Sequence, residues 1–192
     1  IENNFKDIEK DRDSIIQLLG SSMEYANMLI NEKSKESEEL QGMGTTLVLA
    51  IHTKNFLLFG NIGDSSGYVI KNKKLYKITT DHTLVNLLVK SGELTLEEAK
   101  DHPRKNVLMK ALGATSDVDM DVFDVTDEIE GILLCSDGLT NMLTDEQITN
   151  VLNENHTGDE KLEKLIIKSN NRGGTDNISI AYLNKGGNDY DS

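Results

Sequence analysis

Apolar residues at Ile8, Ile15, Leu19, Met23, Ala26 and Ile30 fall three, four or seven positions apart, which places them on one face of a helix. The spacing predicts one long amphipathic helix in spite of Gly20, with charged residues on its other face. The polar stretch 31–41 ends the pattern. Residues 45–52 are then β-branched and aliphatic, the signature of a buried strand, and 55–62 reads as its hairpin partner. A second pair, 67–70 and 75–78, flanks the polar connection Lys71-Asn72-Lys73-Lys74, whose length suits a hairpin. Up to this point the chain reads as an antiparallel meander.

From Asp81 the texture changes. Residues 84–90 predict a short helix, Thr95 and Glu98 supply the two ends of a capping box, and 106–112 predicts a third helical piece closed by Gly113. The stretch 81–113 is therefore expected to be a helical insertion between strands. Alternation returns over 118–125. Residues 131–135 form a short, wholly apolar strand that stops abruptly at Ser136-Asp137-Gly138. Thr144 with Gln147 opens a capped helix, 162–167 continues a helical pair, and 170–174 turns the chain into a final strand over 177–183.

Composition narrows the class. With 192 residues, 37% of them hydrophobic, and one proline, the chain suits a single domain spanning 1–192. No window approaches the roughly 20 apolar residues that a bilayer crossing needs. One cysteine, Cys135, excludes an internal disulfide, and no Cys/His spacing offers a zinc site, which points to a reducing, cytoplasmic setting. The formal net charge of -13 repels phosphodiester backbones and argues against nucleic-acid binding, while cationic partners such as metal ions stay open. The chain begins with Ile1 and shows no basic-then-apolar leader, so it is expected to be part of something longer.

Candidate chemistry lies at three strand ends. Asp64 follows the strand ending at Ile62 through Gly63, Asp137 ends the apolar strand 131–135, and Asp176 precedes the last strand. Strand termini of one sheet can converge at one edge, and aspartate there offers a short, hard oxygen ligand suited to magnesium or manganese. Acids beside glycine are equally ordinary as turn and cap residues, so spacing alone leaves both readings open. Asp117, Asp119, Asp121 and Glu128 occupy positions of a calcium-loop template, but its sixth position is Val122 instead of glycine, and the alternation there reads as a strand. His52, His82, His102 and His156 show no paired ligand spacing and are assigned no catalytic role. Cys135, inside an apolar strand with no adjoining base, reads as an inert thiol, and there is no GxxxxGK[ST] phosphate loop.

Gly42-Met43-Gly44-Thr45-Thr46, Gly63-Asp64-Ser65, Asp81-His82-Thr83, His102-Pro103, Ser136-Asp137-Gly138-Leu139 and Asp176-Asn177 occur in the order and approximate spacing of the metal-dependent type 2C protein phosphatases. Over residues 42–183 the chain most resembles the bacterial serine/threonine phosphatases of that family. The resemblance implies an α+β fold of two stacked antiparallel β-sheets flanked by helices, an αββα sandwich. It implies a binuclear magnesium or manganese centre whose bridging water attacks phosphoserine or phosphothreonine without a phosphoenzyme, and no catalytic residue beyond the metal ligands. By motif, Asp137 and Asp176 resemble ligands of the two core ions, and Asp64 resembles a ligand of a third, weaker ion shared with Asp137. The insertion 81–113 resembles the family's flap, and Lys100, Arg104, Lys105 and Lys110 would make it a basic, substrate-contacting element. The implied partners are phosphorylated proteins, a serine/threonine kinase and its substrates among them.

Two departures stand out. The arginine usual after Gly-Asp-Ser is Ser66 here. Residues 1–41 hold neither the family's first strand, with its acidic and phosphate-binding arginine residues, nor its Asp-Gly-Met-Gly-Gly segment. The resemblance therefore implies that amino-terminal strands are missing from this chain and that the chain alone is inactive or nearly so. A second class fits these departures: a non-catalytic, phosphatase-like binding module that recognises a kinase or phosphoprotein.

Overall fold

The computed structural model describes residues 11–116 and 118–185. In chain order they form helix α1 (Arg12–Lys33), a 3-10 turn (Glu38–Leu40), strands β1 (Leu47–His52), β2 (Leu57–Ile62), β3 (Ser66–Lys71) and β4 (Lys74–Lys77), and helices α2 (Leu84–Ser91) and α3 (Leu96–Lys100). Strands β5 (Asp121–Val125) and β6 (Gly131–Cys135) follow, then helices α4 (Asp137–Thr140), α5 (Asp145–Leu152) and α6 (Gly158–Asn170), and strand β7 (Ile180–Asn184). The strands make two antiparallel sheets, ordered β1-β2-β5 and β4-β3-β6-β7, which is the α+β, two-sheet arrangement expected.

The meander read from local alternation is corrected by this order: β2 and β3, adjacent in sequence, belong to different sheets. Alternation reports which face is buried and carries no information about which strand lies alongside. The β3–β4 turn is also tighter than expected. Asn72 and Lys73 alone form it, both with positive φ (50° and 56°), the backbone twist that two-residue hairpins favour. The Glu130 carboxylate accepts from both of their amides, at 2.8 and 3.1 Å, and so holds a conformation that neither residue favours by itself.

Described residues group into two compact units. The second comprises Val48–Phe59, Ser65–Thr80 and the chain from Phe123. In it Leu57, Phe59, Val69, Ile129 and Ile132 are buried between strands of the two sheets, with Ala50, Phe123 and Leu183 packed around them. The opposite face of the four-stranded sheet is covered by helices. Tyr68, Ile70, Leu133 and Cys135 meet Leu139, Leu143, Ile148, Val151, Leu152 and Leu165 there. This double-sided burial is why β6 reads as an unbroken apolar run. The capping boxes expected at Thr95/Glu98 and Thr144/Gln147 are present, and a third, Thr157/Glu160, opens α6.

The first unit holds the described residues up to Leu47, with Gly60–Asp64 and Asp81–Val122. Within α1 the buried positions Ile15, Leu19, Met23 and Asn27 recur every fourth residue; Ile8 lies outside the described residues. The helix expected over 106–112 does not form. Leu108 bridges to Thr83 and Leu112 to Thr45, so the backbone groups a helix would use are spent on short antiparallel pairings. Lys110, counted with the basic face of this insertion, pairs instead with Asp119 at 3.0 Å and Asp121 at 3.4 Å. Of the calcium-template acids, Asp119 and Asp121 thus pair with Lys110, Glu128 follows β5, no helix flanks them among the described residues, and Asp117 lies outside those residues.

Asn27 ends the buried stripe of α1 as its one polar member. Only 2% exposed, it donates to the carbonyls of Thr115 and Ser116 (3.0 and 3.2 Å) and accepts from the Gly113 amide (2.6 Å). An alanine there leaves the buried Gly113 amide, and the more open carbonyls of Thr115 and Ser116, without this partner, so Asn27→Ala is expected to lower unfolding free energy by about 2 kcal/mol in urea titration. A loss no larger than that of an exposed-helix substitution would show that water takes over those bonds.

Candidate metal centre

The β6–β7 ladder is the frame of the site. Its register runs from Gly131 opposite Asn184 to Cys135 opposite Ile180, where β6 ends. The last strand accordingly begins at Ile180, three residues later than the alternation suggests, because the preceding backbone bonds to a side chain instead of a strand. Ser136 extends the pairing beyond the ladder. Its amide donates to the Ser179 carbonyl, its hydroxyl donates to the Asn177 carbonyl, and its Oγ accepts from the Ser179 amide, each at 3.0 Å. One side chain thereby serves as donor and acceptor at once and fixes residues 177–179 beside the end of β6.

Immediately after this clamp, Asp137 opens α4 and Gly138 lies against the Asp176-Asn177 backbone. A Cβ at position 138 would sit 2.3 Å from the Asn177 carbonyl oxygen and 3.4 Å from that of Asp176, so only glycine permits the approach. The approach sets Asp137 next to Asp176. Asp137 is half-buried; burial, and then the negative charge of Asp176, push its carboxyl above the ordinary carboxylate range. The Gly138 amide and the Asn141 side chain, which donates to Asp137 Oδ2 at 3.1 Å, work in the opposite direction. Asp176 is exposed and accepts from the Asn177 amide at 2.7 Å. Among the described residues neither carboxylate has a basic partner.

Two carboxylates held together without a counter-charge have the chemistry to suit a divalent cation, which would offset the repulsion between them. By themselves they make no complete site: among the described residues no three His, Cys, Asp or Glu side chains gather closely enough to hold a metal ion. Asp64 belongs to the first unit, at the turn after β2. Gly63 before it has φ +105°, and a Cβ there would lie 2.3 Å from Thr46 Cγ2, so that turn too requires glycine. Ser66, at the arginine position, is fully buried opposite Cys135 and contributes no charge. Cys135 is 2% exposed, as an inert core thiol should be.

Ser136 and Asn141 are the residues that sequence reasoning passed over. Asn141 was accessible in principle, since it lies four positions after an acid on a helix start and so shares its face. The double role of Ser136 depends on Asn177 and Ser179, some forty residues away, and no local pattern shows it.

Paired aspartates thus lie at strand ends of a helix-flanked, two-sheet α+β fold. The chain belongs to the protein phosphatase 2C family, whose model matches residues 1–166. It is 43% identical to the serine/threonine phosphatase stp of Listeria welshimeri over 152 residues, 78% of this chain and 60% of that protein. The chain therefore spans less than two thirds of that relative's length. Among solved structures, Stp1 from Staphylococcus aureus matches with a TM-score of 0.87 at 30% identity, covering 94% of this chain and 72% of that one. The catalytic domain of the phosphatase PstP in complex with 2 manganese ions matches with a TM-score of 0.79 at 30% identity, over 93% and 74% of the respective chains.

The close approach at Gly138 is testable by itself. Gly138→Ala pushes the Asn177 backbone away, so the Ser136 and Ser179 amides are expected to exchange with deuterium about tenfold faster or more. Unchanged protection of both amides would mean that the loop tolerates the methyl group and that the clamp does not depend on the glycine.

Proposed function

We propose that the protein containing this chain is a metal-dependent protein serine/threonine phosphatase that hydrolyses phosphoserine and phosphothreonine. The observation that carries this reading is the clamped, uncompensated Asp137–Asp176 pair within a chain of the protein phosphatase 2C family. Asp137 and Asp176 would hold the core divalent ions, magnesium or manganese, and Asp64 a third. A divalent ion in such a site lowers the pKa of a coordinated water and offsets the charge that develops on the phosphoryl oxygens. The chain's own residues do the rest. Asn141 holds one oxygen of Asp137 in place, Ser136 keeps the Asp176 segment from retreating, and Gly138 sets the spacing. Burial of Cys135 keeps its sulfur away from any phosphoryl group, which fits direct hydrolysis.

Physiological substrates are phosphoproteins on this reading, with a serine/threonine kinase and its targets as partners. No helix among the described residues is long and apolar enough to cross a membrane, which agrees with phosphoproteins reached from solution.

Asp137→Asn separates the two sides of this design. It keeps shape and hydrogen bonding but removes charge, so manganese-dependent hydrolysis of para-nitrophenyl phosphate by the full-length protein is expected to fall at least about 100-fold. In metal-free buffer the same variant loses the repulsion with Asp176 and is expected to melt about 2–4 °C higher. Asp64→Ala should weaken manganese binding less than Asp137→Asn does. Undiminished turnover in Asp137→Asn, with circular dichroism unchanged, would sink the assignment.

A further inference from the structure

His82, assigned no role by sequence, is joined to the Asp64 turn at both polar groups of one peptide residue. Its Nδ1 accepts the Gly63 amide at 3.0 Å, and its own backbone amide donates to the Gly63 carbonyl at 2.9 Å. Asn61 adds a second donor to that carbonyl at 3.2 Å. Because Nδ1 accepts, the proton of a neutral ring sits on Nε2, which lies 3.1 Å from Asp121 Oδ2. Lys110 in turn pairs with Asp121 and Asp119. The imidazole is nearly buried, with 9% of its side chain exposed, so its orientation is set by these contacts and not by water. Its carbonyl accepts from the Met109 amide at 2.7 Å, tying the same residue to the insertion.

Gly63 needs this help. Its φ of +105° is open to glycine, and its lack of a side chain lets Thr46 press against it. A glycine in that region gains no restraint from its own side chain, and the turn it makes would otherwise sample many conformations. We propose that His82 is the positioning residue for Asp64: by clamping both the amide and the carbonyl of Gly63, it fixes the backbone from which the Asp64 carboxylate projects. This rests on the reading of Asp64 as a metal ligand. Asp121 acts behind it by holding the ring in the tautomer whose Nδ1 accepts. Burial alone would raise the Asp121 carboxyl, but His82 and Lys110 beside it outweigh that and hold the carboxyl below its ordinary value. Lying 3.1 Å from Nε2, the Asp121 carboxylate favours a proton on that nitrogen.

Two substitutions divide the ring's functions. In His82→Asn the amide oxygen replaces Nδ1 and can accept from the Gly63 amide; in His82→Gln the longer side chain reaches toward Asp121 and leaves the Gly63 amide without this acceptor, while the backbone bond to the Gly63 carbonyl remains. The full-length protein is compared as wild type, His82→Asn, His82→Gln and Asp64→Ala, by amide deuterium exchange and by manganese calorimetry. His82→Gln is expected to speed exchange at Gly63 about tenfold and to weaken manganese binding at the Asp64 site about tenfold, while His82→Asn stays near wild type in both. Long-range nitrogen–proton spectra of the wild type supply a check that needs no variant, with the proton expected on Nε2. A proton on Nδ1, or equal effects of the two His82 variants, overturns the positioning role. If Asp64→Ala leaves the manganese titration unchanged, the ligand reading of Asp64 fails. If Asp64→Ala weakens binding and His82→Gln does not, that reading stands and the role of His82 is overturned.

Discussion

The corner at the end of β6, which keeps Asp137 half-buried beside Asp176, is the constraint on which the candidate site of the second unit depends. Left to themselves, two carboxylates at a strand end would swing apart into water, where both are well solvated. Here the backbone denies them that escape. β6 lies between β3 and β7 in the four-stranded sheet, with apolar side chains covered on both faces, and it cannot shift without opening those cores. Ser136 then transmits the rigidity of β6 to residues 177–179, and Gly138 removes the one methyl group that would keep the acids apart. Hydrophobic burial thus keeps two like charges close together, an arrangement that a cation would relieve.

The same logic explains which parts of this protein could be read in its sequence. Burial leaves periodic traces, so α1, β2, β6 and the helices with capping boxes are visible as spacings and end signals. The positions of the acids at strand ends were legible for the same reason, because a strand that stops abruptly at Asp-Gly marks a corner. Pairing leaves no such trace. That β2 and β3 part into different sheets, that Leu108 and Leu112 bridge to distant residues instead of continuing a helix, and that Ser136 bonds to Ser179 all depend on partners far along the chain. Asn27 shows the limit clearly: at a buried position of an amphipathic helix the pattern expects an apolar residue, and only the three backbone groups it satisfies explain the amide.

Both units solve one problem in the same way. On the proposed reading of these aspartates as metal ligands, each must be held firmly while its oxygens remain available to an ion, so the holding is best done through the backbone on either side of it. Ser136 does this for the Asp176 segment with one hydroxyl that donates and accepts. His82 does it for the turn before Asp64 with a ring nitrogen that accepts and a backbone amide that donates. In each case the clamp grips a neighbour of the acid, and in each case a glycine, Gly138 or Gly63, makes room for the close packing the clamp requires. Replacing a clamp therefore differs in kind from replacing a ligand. Loss of a ligand removes charge and relaxes the repulsion, whereas loss of a clamp leaves every charge in place and removes the geometry that makes the charges useful.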